Sequence, residues 1–436
     1  MNQIIKTLFI CLSFFFTNYS VEAQFWKKLK KKAEDTVLEN AEEKVEDVLN
    51  KKTEKKQEKT SKKEQQTSPT KGIDKVKKTE QETNPTSLYR HFKFIPGEKV
   101  IFYDDLNYEE IGEFPSKWDL LKGGAEIAIL NNEKVIIPTT DDAYDANIIV
   151  PLFSSIDYLG NEFTIEFDIY IDNLKDNYDE QLFGIFFSGN SSKIKENSRY
   201  SFSYPDIKFE IAQKGLKGIV YKDLANTDDE FPLENIAKNN IKLNTWHHIS
   251  ISYYKRKLKV YFDEKRVANL PNFPKAINGF AIKLLKPLDY SEQNESLGSN
   301  SLKTGVKNIR IAHGGGQLYK RIMSDGKYVT NGILFDSGKA IILPQSMGII
   351  NKMVNILKEK SDWSFEIVGH TDSDGNKNAN LELSKKRAQA VKDAIISQGI
   401  SPDRLFASGK GTSEPLNANS NELEKANNRR VEFIRK

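Results

Sequence analysis

Between Lys51 and about Thr86 the chain runs through lysine, glutamate, glutamine, threonine and serine with hardly an apolar residue. A segment this polar has no surface to bury in return for the entropy of being ordered, so it reads as a disordered spacer. That stretch constrains everything else, because any core must form on one side of it or the other. Its charges alternate in sign, so it extends less than a single-sign run. About 35 flexible residues span a root-mean-square distance on the order of 30 to 35 Å. A chain of 436 residues leaves room for two or three domains around such a spacer.

On the N-terminal side, residues 1–23 carry one lysine, an apolar run from Leu8 to Phe16 and a small-residue ending, Val21-Glu22-Ala23. This is the pattern of a cleaved signal peptide, since its apolar core is about half of the ~20 residues a spanning helix needs. Cys11 lies inside that core, so it is not placed as a lipidation site, and cleavage removes the only cysteine of the chain. The expected compartment is the periplasm or the outer membrane, which tolerates a disulfide-free protein. Residues 24–50 repeat apolar positions every three or four residues at Trp26, Leu29, Ala33, Val37, Ala41, Val45 and Val48. That spacing predicts an amphipathic helix. A lone helix of this kind needs something to cover its stripe, either a short coiled coil with itself or a partner or a surface reached through Phe25-Trp26 and the lysines after them, and the alternative is a marginal helix in solution.

The formal charge of +4, from 65 basic and 61 acidic residues, supplies no field for nucleic acid. Five histidines without paired His or Cys spacing argue against a zinc centre, and the spacer is taken to cover residues 51–88. No cofactor is expected.

From residue 89 to 320 the pattern changes to short alternating runs, such as Lys99 to Tyr103, Phe163 to Ile171, Leu182 to Phe187, Tyr200 to Tyr204, Ile207 to Ala212, His247 to Tyr254, Lys257 to Asp263 and Val306 to His313. Asn, Asp, Gly and Pro clusters separate them, which predicts an all-β antiparallel sandwich. The block from Asn244 through Trp246-His247 to Tyr254, followed by KRKLKVYFDEKRV, resembles the strand pair of laminin-G and concanavalin-like jelly rolls, with Glu264 at a turn where those folds carry glycine. The resemblance implies a carbohydrate or protein ligand. Acidic clusters at Asp141, Asp142 and Asp145, and at Asp228 to Glu230, are candidate calcium turns or plain solvated turns. Glu162, Glu166 and Asp168 share the face opposite Phe163, Ile165 and Phe167, and so read as the solvent side of their strand rather than a glycosidase pair. Trp246 and His247 read as core and strand edge.

Residues 321–436 alternate strands and helices, predicting an α/β domain with one mixed sheet and helices on one face. The expected order is a connector, Gly315 to Asp325, a strand from Lys327 to Phe335, a helix from Leu343 to Lys360, a strand Phe365 to Gly369, a helix from Leu381 to Gln398 and strands Arg404 to Ser408 and Arg429 to Arg435, with a polar loop around Pro415. The loop Gly369 to Arg387 joins a strand end to a helix, where binding groups commonly sit. A helix starting near Asn380 sets Asn380, Leu383, Ser384 and Arg387 on one face above Thr371 and Asp372. The carboxylate and the guanidinium then suit a zwitterion, with helix amides adding donors. The alternative keeps Asn380 as a cap, Leu383 as core and Asp372 with Arg387 as a surface pair. His370 invites a catalytic role, but no serine or cysteine nucleophile pattern accompanies it, and it is expected to bond its own loop.

From Gly332 to Lys436 several separated motifs occur in order: GILFDSGKA, GHTDSDG, NLELSKKRAQAV, GISPDRL, GKGTSEP and NNRRVEF. Together they resemble the OmpA-like peptidoglycan-binding domain. The resemblance implies a meso-diaminopimelate ligand held by Asp372 and Arg387, with Phe335, Asp336, Thr371, Asn380, Leu383 and Arg429 around them. Two departures stand out, Glu424-Lys425 before the NRR run and Trp363-Ser364 before the strand. The expected whole is a non-enzymatic envelope protein that binds peptidoglycan and tethers a sandwich. A wall-targeted glycan hydrolase, or a docking platform for an outer-membrane or secretion complex, are the alternatives.

Overall fold

Alternation along one long strand sets the layering of the middle region. Phe163, Ile165, Phe167, Ile169 and Ile171 enter a single core, and a period of two sends Thr164, Glu166 and Asp168 to the opposite face. A computed structural model describes residues 92–139, 147–154, 158–171, 181–188, 207–212, 215–221, 228–231, 242, 244–271, 277, 279–284, 304–316 and 318–436. The expected signal peptide, amphipathic helix and spacer lie outside the described residues, as do the Tyr200 to Tyr204 strand and the Asp141, Asp142 and Asp145 turn.

In chain order the strands of the middle region are β1 Lys99–Asp104, β2 Trp118–Lys122, β3 Ala125–Leu130, β4 Glu133–Pro138, β5 Asn147–Pro151, β6 Glu162–Ile171, β7 Gln181–Ser188, β8 Ile207–Ala212, β9 Gly215–Tyr221, β10 Asp228–Phe231, β11 Thr245–Tyr254, β12 Lys257–Phe262, β13 Lys265–Leu270, β14 Gly279–Leu284 and β15 Thr304–His313. Among the described residues they form two antiparallel sheets. One runs β13-β12-β11-β6-β15-β4-β3 with β1 also on β15, and the other runs β10-β9-β8-β7-β14-β5-β2. Their inner faces share one core, in which Phe167 of β6 meets Phe183 of β7 and Phe280 of β14 at ring distances of 5.6 and 6.2 Å. Each such buried ring contributes about 1.5–3 kcal/mol by leaving water.

The outer face of β6 is not the solvent side that alternation implied. The segment from Phe92 to Glu98 crosses it: Gly97 N donates to Thr164 Oγ1 at 2.8 Å, and Arg310 bridges Glu166 Oε1 and Gly97 O at 2.7 Å each. Glu166 is 3% exposed in consequence. Phe92 and Phe94 pack edge-on against Tyr261 of β12. A period-two pattern reports which face a side chain takes, not what a distant segment lays over that face.

That crossing segment also meets the C-terminal module, whose elements are α1 Leu318–Asp325, β16 Lys327–Thr330, α2 Met347–Glu359, β17 Phe365–His370, α3 Lys377–Ile396, β18 Leu405–Gly411, α4 Glu422–Asn428 and β19 Val431–Arg435. The sheet order is β16-β19-β17-β18, with β17 and β18 parallel and the other pairs antiparallel. This is the mixed sheet with helices that the alternating pattern predicts. Asn351 of α2 donates to Phe92 O at 3.1 Å.

Three elements differ from expectation. The connector contains α1, which buries only Leu318 and Ile322, too short a stripe to register as a period. The strand expected to reach Phe335 stops at Thr330, because Asn331 turns its amide to Ala426 O and Asn427 O. The polar region after Pro415 contains α4, capped by Asn421, whose Oδ1 accepts from Glu424 N at 2.9 Å. Among the described residues no helix is long and apolar enough to cross a membrane.

Candidate functional site

Glycine decides how closely α3 approaches the sheet. A Cβ at Gly369 would run into Ser384 O, and one at Gly409 into Lys385 N. With hydrogen in both places, the helix lies directly on β17 and β18 and carries Arg387 over the strand ends.

Local chemistry then shapes the loop between β17 and α3. Asn376 is the N-cap, its Oδ1 accepting from Asn378 N at 2.8 Å and Ala379 N at 3.2 Å. The helix therefore starts before Asn380, and two of the first-turn amides expected to serve a ligand are already satisfied. Asn380 is buried in that first turn and donates to Asp374 O at 2.7 Å, bracing the loop. Thr371, also buried, donates from its hydroxyl to Asp372 O. Lys425, one of the departures from the family pattern, reaches Asp374 and Glu422 at 3.0 Å each and ties α4 to the same loop.

Asp372 and Arg387 do not face each other as a bare pair. Asp372 Oδ2 accepts from Arg429 Nη1 at 2.7 Å, and its Oδ1 accepts from Asp374 N at 3.1 Å. Arg387 donates from Nε to Lys339 O at 3.0 Å, and its guanidinium lies 5.0 Å from the Phe335 ring centre. Burial pulls the Arg387 pKa down, the Asp372 charge pushes it back up and the Arg429 charge pulls it down again, yet a guanidinium stays charged at any physiological pH.

These side chains border a groove lined by Phe335, His370, Arg387 and Arg429, with Tyr103 of β1 and Arg310 of β15 on its far side. Three of the lining arginines are matched by carboxylates. Arg310 pairs with Glu166, Arg430 with Glu432 and Arg429 with Asp372. Among the described residues Arg387 has no carboxylate partner. Of the residues expected at the site, Phe335, Arg387 and Arg429 line the groove. Asp372 stands behind Arg429, Thr371 and Asn380 brace from below, Leu383 is half-buried on α3 and Asp336 sits apart with Lys339 at 3.5 Å.

His370 does not bond its own loop. It is 3% exposed, its Nε2 lies 3.5 Å from Glu432 Oε1, a long charge contact, and among the described residues its ring nitrogens have no closer hydrogen-bond partner. Burial would raise the Glu432 carboxyl, but His370, Lys327 and Arg430 outweigh it and bring its pKa down to about 2. Sequence reading also missed Tyr103. Nothing local marks it, because it reaches the groove from β1, far upstream in the chain. Burial and the Asp105 charge push its phenol up to about 12, so the ring is neutral beneath the Arg429 guanidinium at 5.4 Å.

In the sandwich, Glu166 and Asp168 are both held by other side chains, Glu166 by Arg310 at 2.7 Å. Asp168 accepts from Asn308 and holds His248 Nδ1, both at 2.7 Å. His247 is buried between Asp263 at 2.8 Å and Lys242 O at 2.6 Å. Trp246 lies under the Lys307 ammonium at 3.9 Å.

Residues 334–429 match the OmpA family model, so the C-terminal module contains an OmpA family domain. The probable lipoprotein YiaD of Escherichia coli is 36% identical over 103 residues, 24% of this chain and 47% of that protein. The peptidoglycan-binding protein ArfA of Mycobacterium tuberculosis is 34% identical over 107 residues, 24% of this chain and 33% of that protein. The similarity therefore spans a third to a half of those relatives' own length. A crystal structure of the peptidoglycan-associated lipoprotein from Burkholderia pseudomallei is 28% identical, covering 24% of this chain and 86% of that one, with a TM-score of 0.22.

Proposed function

We propose that this chain is a non-enzymatic cell-envelope protein of the periplasm or outer membrane that grips peptidoglycan non-covalently through its C-terminal module. The ligand is the diaminopimelate of a stem peptide. One observation carries the reading: Arg387 is a half-buried guanidinium in a groove where each other lining arginine has its carboxylate, and it has none among the described residues. A ligand carboxylate supplies the missing partner, and a bidentate fork holds it in one orientation. The Phe335 ring below Arg387 keeps the fork planar to the groove.

The other pole is the Asp372–Arg429 pair. An ionised carboxylate has about four lone-pair sites, and two of them serve Arg429 and Asp374 N. An ammonium group joins the remaining acceptor positions and gains charge complementarity there. Diaminopimelate presents both charges at one end, which matches an arginine and an aspartate on neighbouring elements. The similarity to ArfA supports the same class of ligand.

The hydrolase alternative loses support, because Glu166 is engaged by Arg310 beneath a crossing segment and Asp168 is engaged by His248 and Asn308. A glycosidase needs two carboxyl groups flanking a substrate cleft. The sandwich is left as the part that is tethered, with a carbohydrate or an envelope protein as its partner, and residues 24–50 as the self-association element.

Co-sedimentation with purified sacculi tests the site. Arg387→Ala is expected to weaken binding roughly ten- to hundred-fold, and Asp372→Ala comparably, since truncating one member of a desolvated charge pair is costly. Variants that pellet like the parent while retaining its melting temperature remove the assignment.

A further inference from the structure

The groove is bordered by two domains, and the sandwich's contribution has no counterpart in the residues that the family resemblance supplies. We infer that the β-sandwich forms one wall of the peptidoglycan site, with Tyr103 of β1 acting as a positioning residue that holds Arg429 against Asp372. The inference rests on the reading of the groove given above and adds a specificity element to it.

Geometry carries the argument. The Arg429 guanidinium is held by a carboxylate and a ring: Nη1 donates to Asp372 Oδ2 at 2.7 Å, with Glu422 farther off at 4.0 Å, and the Tyr103 ring centre lies 5.4 Å from its central carbon. Arginine side chains are long and lose much rotamer freedom when fixed. A ring on one side and a carboxylate on the other define where the charge sits before any ligand arrives, and preorganisation of this kind reduces the cost of binding.

The placement of Tyr103 is itself built in. Its carbonyl accepts from Lys117 Nζ at 3.1 Å, and next to it Asp104 accepts from Trp118 Nε1 at 2.8 Å, so β1 is fixed from within the sandwich. Across the seam, Asn427 of α4 pairs reciprocally with Val100: Val100 N donates to Oδ1 and Nδ2 donates to Val100 O, each at 3.1 Å. One carboxamide thus takes the place of a neighbouring strand on β1, two residues before Arg429 in the chain. The strand bearing Tyr103 and the helix end bearing Arg429 are therefore held together by the same two hydrogen bonds.

A structural role alone predicts that these contacts affect stability and leave ligand affinity untouched. A positioning role predicts the reverse ordering. The closing experiment titrates a soluble N-acetylmuramyl tripeptide bearing meso-diaminopimelate into the full-length protein by calorimetry, with melting temperatures recorded for every variant. Tyr103→Leu keeps apolar bulk and removes the ring face, and should weaken binding about tenfold, the scale of a partly desolvated cation–ring contact. Tyr103→Phe restores the ring, and should return affinity to within about threefold of the parent. Asn427→Ala cuts the tie between β1 and α4 without touching the groove, and should weaken binding about threefold, the scale of a neutral hydrogen bond.

If Tyr103→Leu and Asn427→Ala bind the tripeptide like the parent while Arg387→Ala does not, the sandwich wall is refuted and the site reading stands. If the parent itself fails to bind, both fall together. Should Tyr103→Leu prove unfolded, Asn427→Ala decides alone, and parental affinity in it overturns the inference.

Discussion

Two sets of arginines and carboxylates lie on either side of one seam, and they are finished differently. On the outer face of the sandwich sheet, Arg310 closes on Glu166, His248 on Asp168 and Lys307 on Glu133. In the groove of the C-terminal module, Asp372 and Arg429 close on each other and Arg387 is left over among the described residues. Removing charge from water is expensive unless a partner repays it. A network with every charge matched is therefore architecture, and Arg387 is the half-buried charge that the proposed ligand carboxylate would match.

The largest expected effect breaks the closed network. Arg310→Met takes from the buried Glu166 its guanidinium partner at 2.7 Å and leaves it only His248 at 3.8 Å, and urea unfolding should show a loss of about 3–5 kcal/mol. A much smaller loss makes the sandwich network ornamental and removes the contrast. Gly369→Ala comes next. Its Cβ meets the backbone oxygen of Ser384, so α3 must shift, costing about 1–3 kcal/mol and moving Arg387 with it; sacculus binding should fall alongside stability.

The two regions should also fail at opposite ends of the pH scale. Burial would lower the His248 pKa, but Asp168 and Glu166 raise it to about 10. A folded pKa above the ordinary value of 6.5 gives a contribution complete below pH 6.5 and lost as pH climbs through about 10. Glu432, depressed from 4.5 to about 2, contributes fully above pH 4.5 and loses that contribution as pH falls through about 2. Melting curves across pH should show His248→Gln flattening the alkaline limb and Glu432→Gln the acid limb, each without changing the other. Crossed effects would mean that the domains titrate as one network.

Two smaller effects sharpen the contrast. Asn376→Ala removes the α3 cap and should cost about 1 kcal/mol in thermal unfolding. Arg387→Met, at the bottom of the scale, loses one hydrogen bond and a ring contact and should cost under about 1 kcal/mol, although it removes the groove's unmatched charge.

Much of the C-terminal module was legible because its motifs are contiguous and its periods are local. Phe365 to Gly369 reads as a strand and Leu381 onwards as a helix from adjacent residues alone. Arg387 and Phe335 were expected together through the family pattern, and both line the groove. The pairing of Asp372 with Arg429 was not legible, since 57 positions separate them. Nor was the cover over β6, which is laid down by residues some 70 positions upstream of Glu166, in the segment around Phe92 to Glu98.

What the sequence determined by itself, among the described residues, is the order of parts: a run of alternating strands, then a strand–loop–helix carrying an aspartate and an arginine. Period and composition are properties of neighbours along the chain, so they are readable there. Only the tertiary structure decided that Tyr103 stands under Arg429, that Glu166 is buried and that Arg387 is, among the described residues, the groove arginine without a carboxylate. Each of these depends on which surfaces exclude water from which, and that is settled by contacts between residues far apart in the chain.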